Sequence, residues 1–225
     1  MVLRLIIRTV FFTAIMAALL FGFAGSFRWF GAQVFLAAMG AGGLMMGLFL
    51  ARTDPALLKE RMTTFKQKKQ SIADRILMPV LAALFVAWLA FMALDARCNG
   101  FTQMPAWLNF AGGLAILAGF LAIIRVFREN TFAAAAVKVQ PERGHRVIDT
   151  GPYAIVRHPL YSVAVFTYLA IPFALGSWNG LPITPLLILG LAVRTLLEER
   201  ILADRLAGYR DYMTKVRYRF VPYVW

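Results

Sequence analysis

Ile76–Leu94, ILMPVLAALFVAWLAFMAL, runs for nineteen residues without one charged, amide or hydroxyl side chain. As an α-helix rising 1.5 Å per residue it extends roughly 28 Å, about the thickness of a bilayer's hydrocarbon core. Arg75 precedes it and Asp95 follows. Five comparable runs lie to either side: Val10–Phe27, Gly31–Ala51, Pro105–Ile124, Pro159–Gly176 and Leu181–Leu197. The composition agrees. Of 225 residues 60% are hydrophobic and 16% charged, where a soluble domain carries about 25% charged residues. The reading is an all-α fold, a polytopic transmembrane helix bundle of about six spans.

The formal charge of +13 comes from 24 Lys and Arg against 11 Asp and Glu. In a soluble protein that excess points to nucleic acid. Here its distribution explains it without nucleic acid. Only Arg28 and Arg97 fall on one side of the spans, and the other 22 basic residues fall on the opposite side. The positive-inside rule therefore places both termini in the cytoplasm, together with the segments Arg52–Arg75, Arg125–Arg157 and Arg194–Arg219. A multi-pass protein of a bacterial inner membrane fits the abundant Ala, Leu and Arg. Cys98 is the single cysteine, so no intrachain disulfide or cysteine metal site is available.

The first span follows Arg4 and Arg8, and Ala24-Gly25-Ser26 imitates a signal-peptidase site. The second apolar run starts almost at once, which favours an uncleaved helical hairpin. Asp54-Pro55 reads as a helix cap with proline at the first helical position. Beyond it, Leu57, Leu58, Arg61, Met62 and Phe65 recur at helical spacing, with Lys66, Lys68 and Lys69 behind. That pattern predicts an interfacial amphipathic helix over about 55–70; a solvated linker is the alternative. Gly43 and Gly47 have the small-xxx-small spacing of closely packed membrane helices. Two regions follow: residues 1–131, the N-terminal helices, and 132–225, with the last two spans and a C-terminal helix.

Charges occur where lipid is expected. Thr184-Pro185 has the form of a cap and first-turn proline, and Trp178 is placed as an interface anchor. Counting inward from Leu181, Arg194 lies roughly 20 Å deep, with Glu198 and Glu199 some 6–8 Å further on. Charged side chains at such depth normally face a bundle interior or a wet cavity. Arg194 and Glu198, four residues apart, share a helix face, and Glu199 is turned about 100° away. A structural ion pair at the helix exit is the other reading. The second polar cluster, Gln140–Tyr161, holds both histidines, His145 and His158. Val147-Ile148 suggests a short extended piece and Gly151-Pro152 a turn. His158-Pro159 opens the fifth span. Arginine, histidine and free backbone N–H groups at that helix start make an anion-binding corner; a snorkelling Arg157 with headgroup-facing histidines is the alternative. Two histidines without cysteine are too few ligands for zinc, so no metal is expected.

The run His145-x-Val-Ile-x-x-Gly151-Pro-Tyr153-x-x-x-Arg157-His158-Pro159-x-Tyr161 resembles the integral-membrane methyltransferases of the isoprenylcysteine carboxyl methyltransferase family. So do Arg194-x-x-x-Glu198-Glu199, Gly208-Tyr209-x-x-Tyr212 and the closing Val221-Pro222. The resemblance covers about the last 85 residues from Gln140. It implies a cofactor, S-adenosyl-L-methionine, held by Gln140, the backbone of His145, Arg146, Val147 and Ile148, by Tyr153, by His158, Pro159, Leu160 and Tyr161, and by Glu198. Arg194 and Glu198 would be the catalytic pair, with Arg194 binding the acceptor's carboxylate. Val163 departs from the glycine many relatives carry there, which puts close packing of that helix in question. The implied reaction is methyl transfer to a lipophilic small-molecule, lipid or prenylated acceptor, such as a C-terminal isoprenylcysteine. An ionised carboxylate or thiolate needs no general base, so alignment dominates. An NADPH-dependent sterol-type reductase, resembling the Tyr-x-x-Tyr and Val-Pro ending, and a non-enzymatic membrane protein are the alternatives. The acceptor's identity and the oligomeric state stay open.

Overall fold

The structure, a computed structural model, describes residues 1–62, 72–98, 104–134 and 140–225. Among them eight α-helices follow one another: α1 (Val2–Ala24), α2 (Phe30–Thr53), α3 (Pro55–Met62), α4 (Ile72–Cys98), α5 (Ala106–Glu129), α6 (Pro159–Leu175), α7 (Thr184–Arg205) and α8 (Tyr209–Lys215). The described residues contain no strand. Five segments are long and apolar enough to cross a bilayer: α1, α2, α4, α5, and α7 with the 3₁₀ turn before it, Trp178–Arg205. The protein is a multi-pass, all-α membrane protein.

The remaining expected span, the fifth in chain order, is α6, 17 residues long. That is about 25 Å, short of a full hydrocarbon core. It nevertheless reaches both ends of the bundle. At one end Tyr161 bonds to Glu198 of α7. At the other, the Trp29 indole N–H donates to the Leu175 carbonyl (3.0 Å) and Asn109 Nδ2 to that of Phe173 (3.0 Å). Trp29, Phe35, Trp88, Met92, Ile116, Ile171 and Leu175 share one apolar core, so helices before and after residue 131 bury their faces against each other.

Glycines set how closely these helices approach. A Cβ on Gly112 would lie 2.3 Å from the Ala174 backbone nitrogen, and one on Gly31 2.5 Å from the Leu175 carbonyl oxygen. Of the expected glycine pair, Gly47 does meet α1, where an added Cβ would lie 2.4 Å from Leu5 Cδ1. Gly43 touches little, and it is Gly42 that receives Phe120 of α5. The bulk of Val163 on α6 lies across from Gly119 of α5, where a Cβ would stand 3.6 Å away; the small residue sits on the partner helix. Because the obstacle at Gly112 is backbone, Gly112→Ala should force α5 and α6 apart, at the ~1–3 kcal/mol typical of overpacking. Gly22, whose Cβ would meet nothing within 4 Å, is the control. Melting in detergent should fall for Gly112→Ala and hold for Gly22→Ala.

Asp54 caps α3 as its sequence suggests, its Oδ1 accepting the Leu57 N–H (2.9 Å). The helix differs from the expected interfacial one. Leu57 and Leu58 are buried against Leu5, Leu50 and Phe127, inside the protein and away from lipid. Residues 63–70 of that expectation, with Phe65 and its lysines, lie outside the described residues. Ala24-Gly25-Ser26 forms the turn between α1 and α2, with Gly25 at φ 69°. Thr184 does not cap α7 through an accepting oxygen. Its hydroxyl donates to the Gly180 carbonyl (3.3 Å).

Candidate functional site

At the end of the bundle that carries Asp54 and Asp74, a cavity of about 380 Å³ opens between α3, α4, α5, α6, α7 and α8. That volume lies within the usual range of small-molecule pockets. The loop before α6 gives it His145, Arg146, Val147, Ile148 and Tyr153. The start of α6 adds His158, Pro159, Leu160 and Tyr161, and α7 adds Arg194 and Glu198. The paired-histidine segment and the intramembrane charges therefore converge on one cavity.

The two adjacent glutamates of α7 diverge, since consecutive helical residues point about 100° apart. Glu198 faces the cavity, and the Tyr161 hydroxyl donates to its Oε2. Glu199 turns away and is buried. Its Oε1 pairs with Arg157 Nε (2.6 Å) and lies 3.3 Å from His158 Nε2, and its Oε2 takes Arg219 Nε (2.9 Å). Arg157 also donates through Nη1 to the carbonyls of Val216 (2.7 Å) and Arg217 (3.0 Å). The backbone N–H groups of Arg157 and His158 donate to the carbonyls of Tyr218 (2.9 Å) and Arg219 (2.8 Å). This corrects the anion-binding corner: its N–H groups are not free, and the anion it holds is Glu199. The Arg-His-Pro stretch thus fastens the C-terminal tail against α7 and fixes the cavity's wall.

Arg194 has a partner that its spacing to Glu198 does not announce. Its Nε donates to Oδ1 of Asp74 (3.0 Å), a buried residue in the first turn of α4. Its guanidinium also lies over the Tyr161 ring, 5.6 Å from the centroid. Gln140 departs from the expectation. It is fully buried and does not line the cavity. Its Nε2 donates to the Phe132 carbonyl (2.9 Å), and its Oε1 accepts from Arg143 (2.8 Å). It anchors the loop from behind. His145 stacks on Phe132 at 4.6 Å, and its Nδ1 accepts the Gln140 N–H (3.3 Å). Burial, then the Arg143 charge, holds its pKa below the usual value, which keeps that nitrogen free to accept.

The groups left without partners show what the cavity suits. Among the described residues, the backbone N–H and C=O groups of Arg146, Val147 and Ile148 make no hydrogen bond within the protein. The segment, expected to be extended, has no partner strand among the described residues and presents an open polar edge to them. The Tyr209 hydroxyl is buried and likewise has no partner among the described residues. A buried polar group normally is paired, so the Tyr209 hydroxyl calls for a ligand, and the partly exposed edge at 146–148 leaves donors and acceptors within its reach; together they fit a ligand with heteroaromatic and hydroxyl groups, such as an adenosine. Glu198 adds a carboxylate for a cationic end.

Among the residues that line or support the site are Arg61, Asp74, Tyr209 and Tyr212, to which the sequence alone assigns no part in it. Tyr209 and Tyr212 of the Tyr-x-x-Tyr motif both line the cavity, and the Tyr212 hydroxyl donates to the Tyr153 carbonyl (2.7 Å). Burial raises the pKa of Tyr153, Tyr209 and Tyr212, so all three act as neutral hydroxyls. Asp74 had a signal, an acid just inside the third span able to balance Arg194. Arg61 had one too, a cation on the apolar stripe of its helix.

No curated protein matches the chain significantly. Residues 107–207 match the sequence model of the phospholipid methyltransferase family. The matched segment is just under half of the chain and runs from α5 through α7 into the turn before α8, so it takes in α5, for which the sequence offered no motif. Methyltransferases of this family use S-adenosylmethionine. The family is related to the isoprenylcysteine carboxyl methyltransferases that the motifs resemble. Residues 107–207 thus match a phospholipid methyltransferase family domain, set within a multi-pass helical membrane protein.

Proposed function

We propose that the protein transfers a methyl group from S-adenosylmethionine to the headgroup amine of a membrane phospholipid, at the cytoplasmic end of the bundle. The observation that carries this reading is the convergence of Glu198, Tyr161 and Arg194 with the open edge Arg146–Ile148 on one cavity. The bound cofactor supplies an electrophilic methyl group on a sulfonium. Arg146, Val147 and Ile148 offer backbone donors and acceptors to its adenine, Tyr209 a hydroxyl to its ribose, and Glu198 a carboxylate near its cationic end. A primary ammonium has a pKa of about 10, so its lone pair is unavailable at neutral pH until a proton leaves. Glu198 would take that proton first, freeing the lone pair to displace S-adenosylhomocysteine from the methyl carbon, and Tyr161 would hold the carboxylate in place. Arg194, fixed by Asp74, faces the anionic part of the acceptor. Setting the reacting atoms in line is the larger share, since alignment supplies up to ~7–11 kcal/mol.

Arg194 supports a second acceptor, the carboxylate of an isoprenylcysteine, because a guanidinium aligns a carboxylate through two parallel hydrogen bonds. No proton acceptor is needed there. The acid beside the cavity and the family match both favour the amine. A sterol-type reductase is less well supported, since the matched segment is that of methyltransferases.

Calorimetry tests the core of the proposal. Purified protein in detergent should bind S-adenosylmethionine, and S-adenosylhomocysteine should compete. Tyr209→Phe removes a hydroxyl that bonds to nothing described in the protein, so its melting temperature should not fall. Its affinity for the cofactor should drop about three- to tenfold, the worth of one hydrogen bond. A wild type that gives no heat with the cofactor would overturn the proposal. Mass spectrometry of membranes with and without active protein should then show a 14 Da gain on aminophospholipids; a gain confined to prenylated carboxylates would move the acceptor to the second reading.

A further inference from the structure

The cavity has a cation that the proposed chemistry does not use. Arg61 lines it from α3. Its guanidinium is half-buried, stacks over Phe127 at 4.7 Å and spends one N–H, on Nη1, on the Ala133 carbonyl (2.8 Å). Among the described residues no carboxylate lies within ion-pair distance of it. The neighbouring arginines differ in this. Arg157 is paired with Glu199 and Arg194 with Asp74, and Arg146 is exposed to solvent. A charge drawn partly out of water without a counter-ion carries a desolvation cost that an incoming anion offsets. Burial first, and then repulsion from Arg194, brings the Arg61 pKa down to about 10. An anion entering between the two guanidiniums would relieve both effects.

The backbone around Arg61 is built to hold it there. Leu57 and Leu58 are fixed in the core, the Asp54 cap sets the start of the helix, and Phe127 lies flat beneath the guanidinium. Arg61 also stands outside the matched segment, residues 107–207, whereas the groups proposed for the cofactor, apart from Tyr209, lie within it. A cation contributed from elsewhere in the chain suits the acceptor better than the shared cofactor.

We infer that Arg61, together with Arg194, forms an oxyanion subsite that recognises the phosphodiester of the phospholipid acceptor. This rests on the proposed amine methylation and deepens it. Guanidinium presents planar, bidentate N–H pairs to phosphate oxygens. With Glu198 one helical turn beyond Arg194, the cavity then offers positive charge to the phosphate and negative charge to the ammonium of one zwitterionic headgroup.

The test uses full-length protein in detergent with two acceptors, dihexanoyl phosphatidylethanolamine and dodecylamine, an amine without phosphate. Arg61→Gln should raise KM for the phospholipid at least tenfold and leave KM for dodecylamine and the Kd for S-adenosylmethionine within twofold. Arg61→Lys should recover part of the loss. An equal rise for both acceptors, or none for the phospholipid, would overturn the inference. A tenfold weaker cofactor affinity with unchanged acceptor KM would also overturn it, assigning Arg61 to the cofactor's carboxylate. Direct binding of the phospholipid in the presence of S-adenosylhomocysteine supplies a readout independent of turnover. Wild type should bind at least tenfold more tightly than Arg61→Gln, and equal affinities would sink the subsite. A wild type that binds the phospholipid this way but transfers no methyl would refute the proposed reaction while leaving the subsite standing.

Discussion

Glu199→Ala should be the most destabilising single substitution at this end of the molecule. The side chain is 4% exposed and meets Arg157, His158 and Arg219. Removing it leaves Arg157, itself 6% exposed, as a buried charge without an acid. Breaking a buried pair from one side costs about 3–5 kcal/mol. The damage extends further than the pair, because Arg157 also holds the carbonyls of Val216 and Arg217 and so keeps the C-terminal tail in place. Thermal melting in detergent should show a large fall, with proteolysis beginning in the tail. Glu199→Gln keeps an acceptor oxygen and should lose less. The double change Arg157→Met with Glu199→Leu removes the charge conflict, which elsewhere is often neutral. Here it should recover only part of the loss, since no methionine can donate to the tail. A melting temperature for Glu199→Ala equal to wild type would contradict the account of the Arg-His-Pro stretch as a structural clasp.

Glu198→Gln, one residue away, should behave in the opposite manner. Its side chain faces the cavity and accepts from the Tyr161 hydroxyl, an acceptor role that an amide oxygen can keep. Folding should be preserved. In the proposed reaction, what disappears is the proton acceptor and the negative charge beside a cationic cofactor and a cationic amine. General-base catalysis contributes typically 10²–10⁴-fold, so kcat for methyl transfer to an aminophospholipid should fall by that order. The change should show as kcat far more than as acceptor KM. An acceptor already ionised, such as a carboxylate, should lose much less, which makes the ratio of the two losses diagnostic. If Glu198→Gln turned over the phospholipid at the wild-type rate, the carboxylate would have no part in the chemistry. The pair of substitutions is informative because the sequence offers two neighbouring glutamates and the fold assigns them to separate tasks.

The amino-acid order settled whatever depends on local periodicity. Ile76–Leu94 and its companion runs specified helices that cross lipid, because a bilayer demands about twenty apolar residues per helix. Asp54-Pro55 specified where α3 begins. The motif from His145 to Tyr161, with Arg194 and Glu198, marked the segment that closes the cavity, since those residues lie in one stretch or on one helix face. What the sequence left open are the pairings between distant elements. Asp74 and Arg194 are 120 residues apart, Glu199 and Arg157 are 42 apart, and Arg61 meets the Ala133 carbonyl across 72. No spacing rule reaches so far. Those contacts follow from how α3, α4 and α7 pack, and packing hinges on glycines such as Gly42 and Gly112 whose role shows only once the opposing helix is in place. Tertiary structure alone decided which charges are neutralised inside the protein and which remain turned toward the cavity, because a buried ion's partner is set by proximity in space.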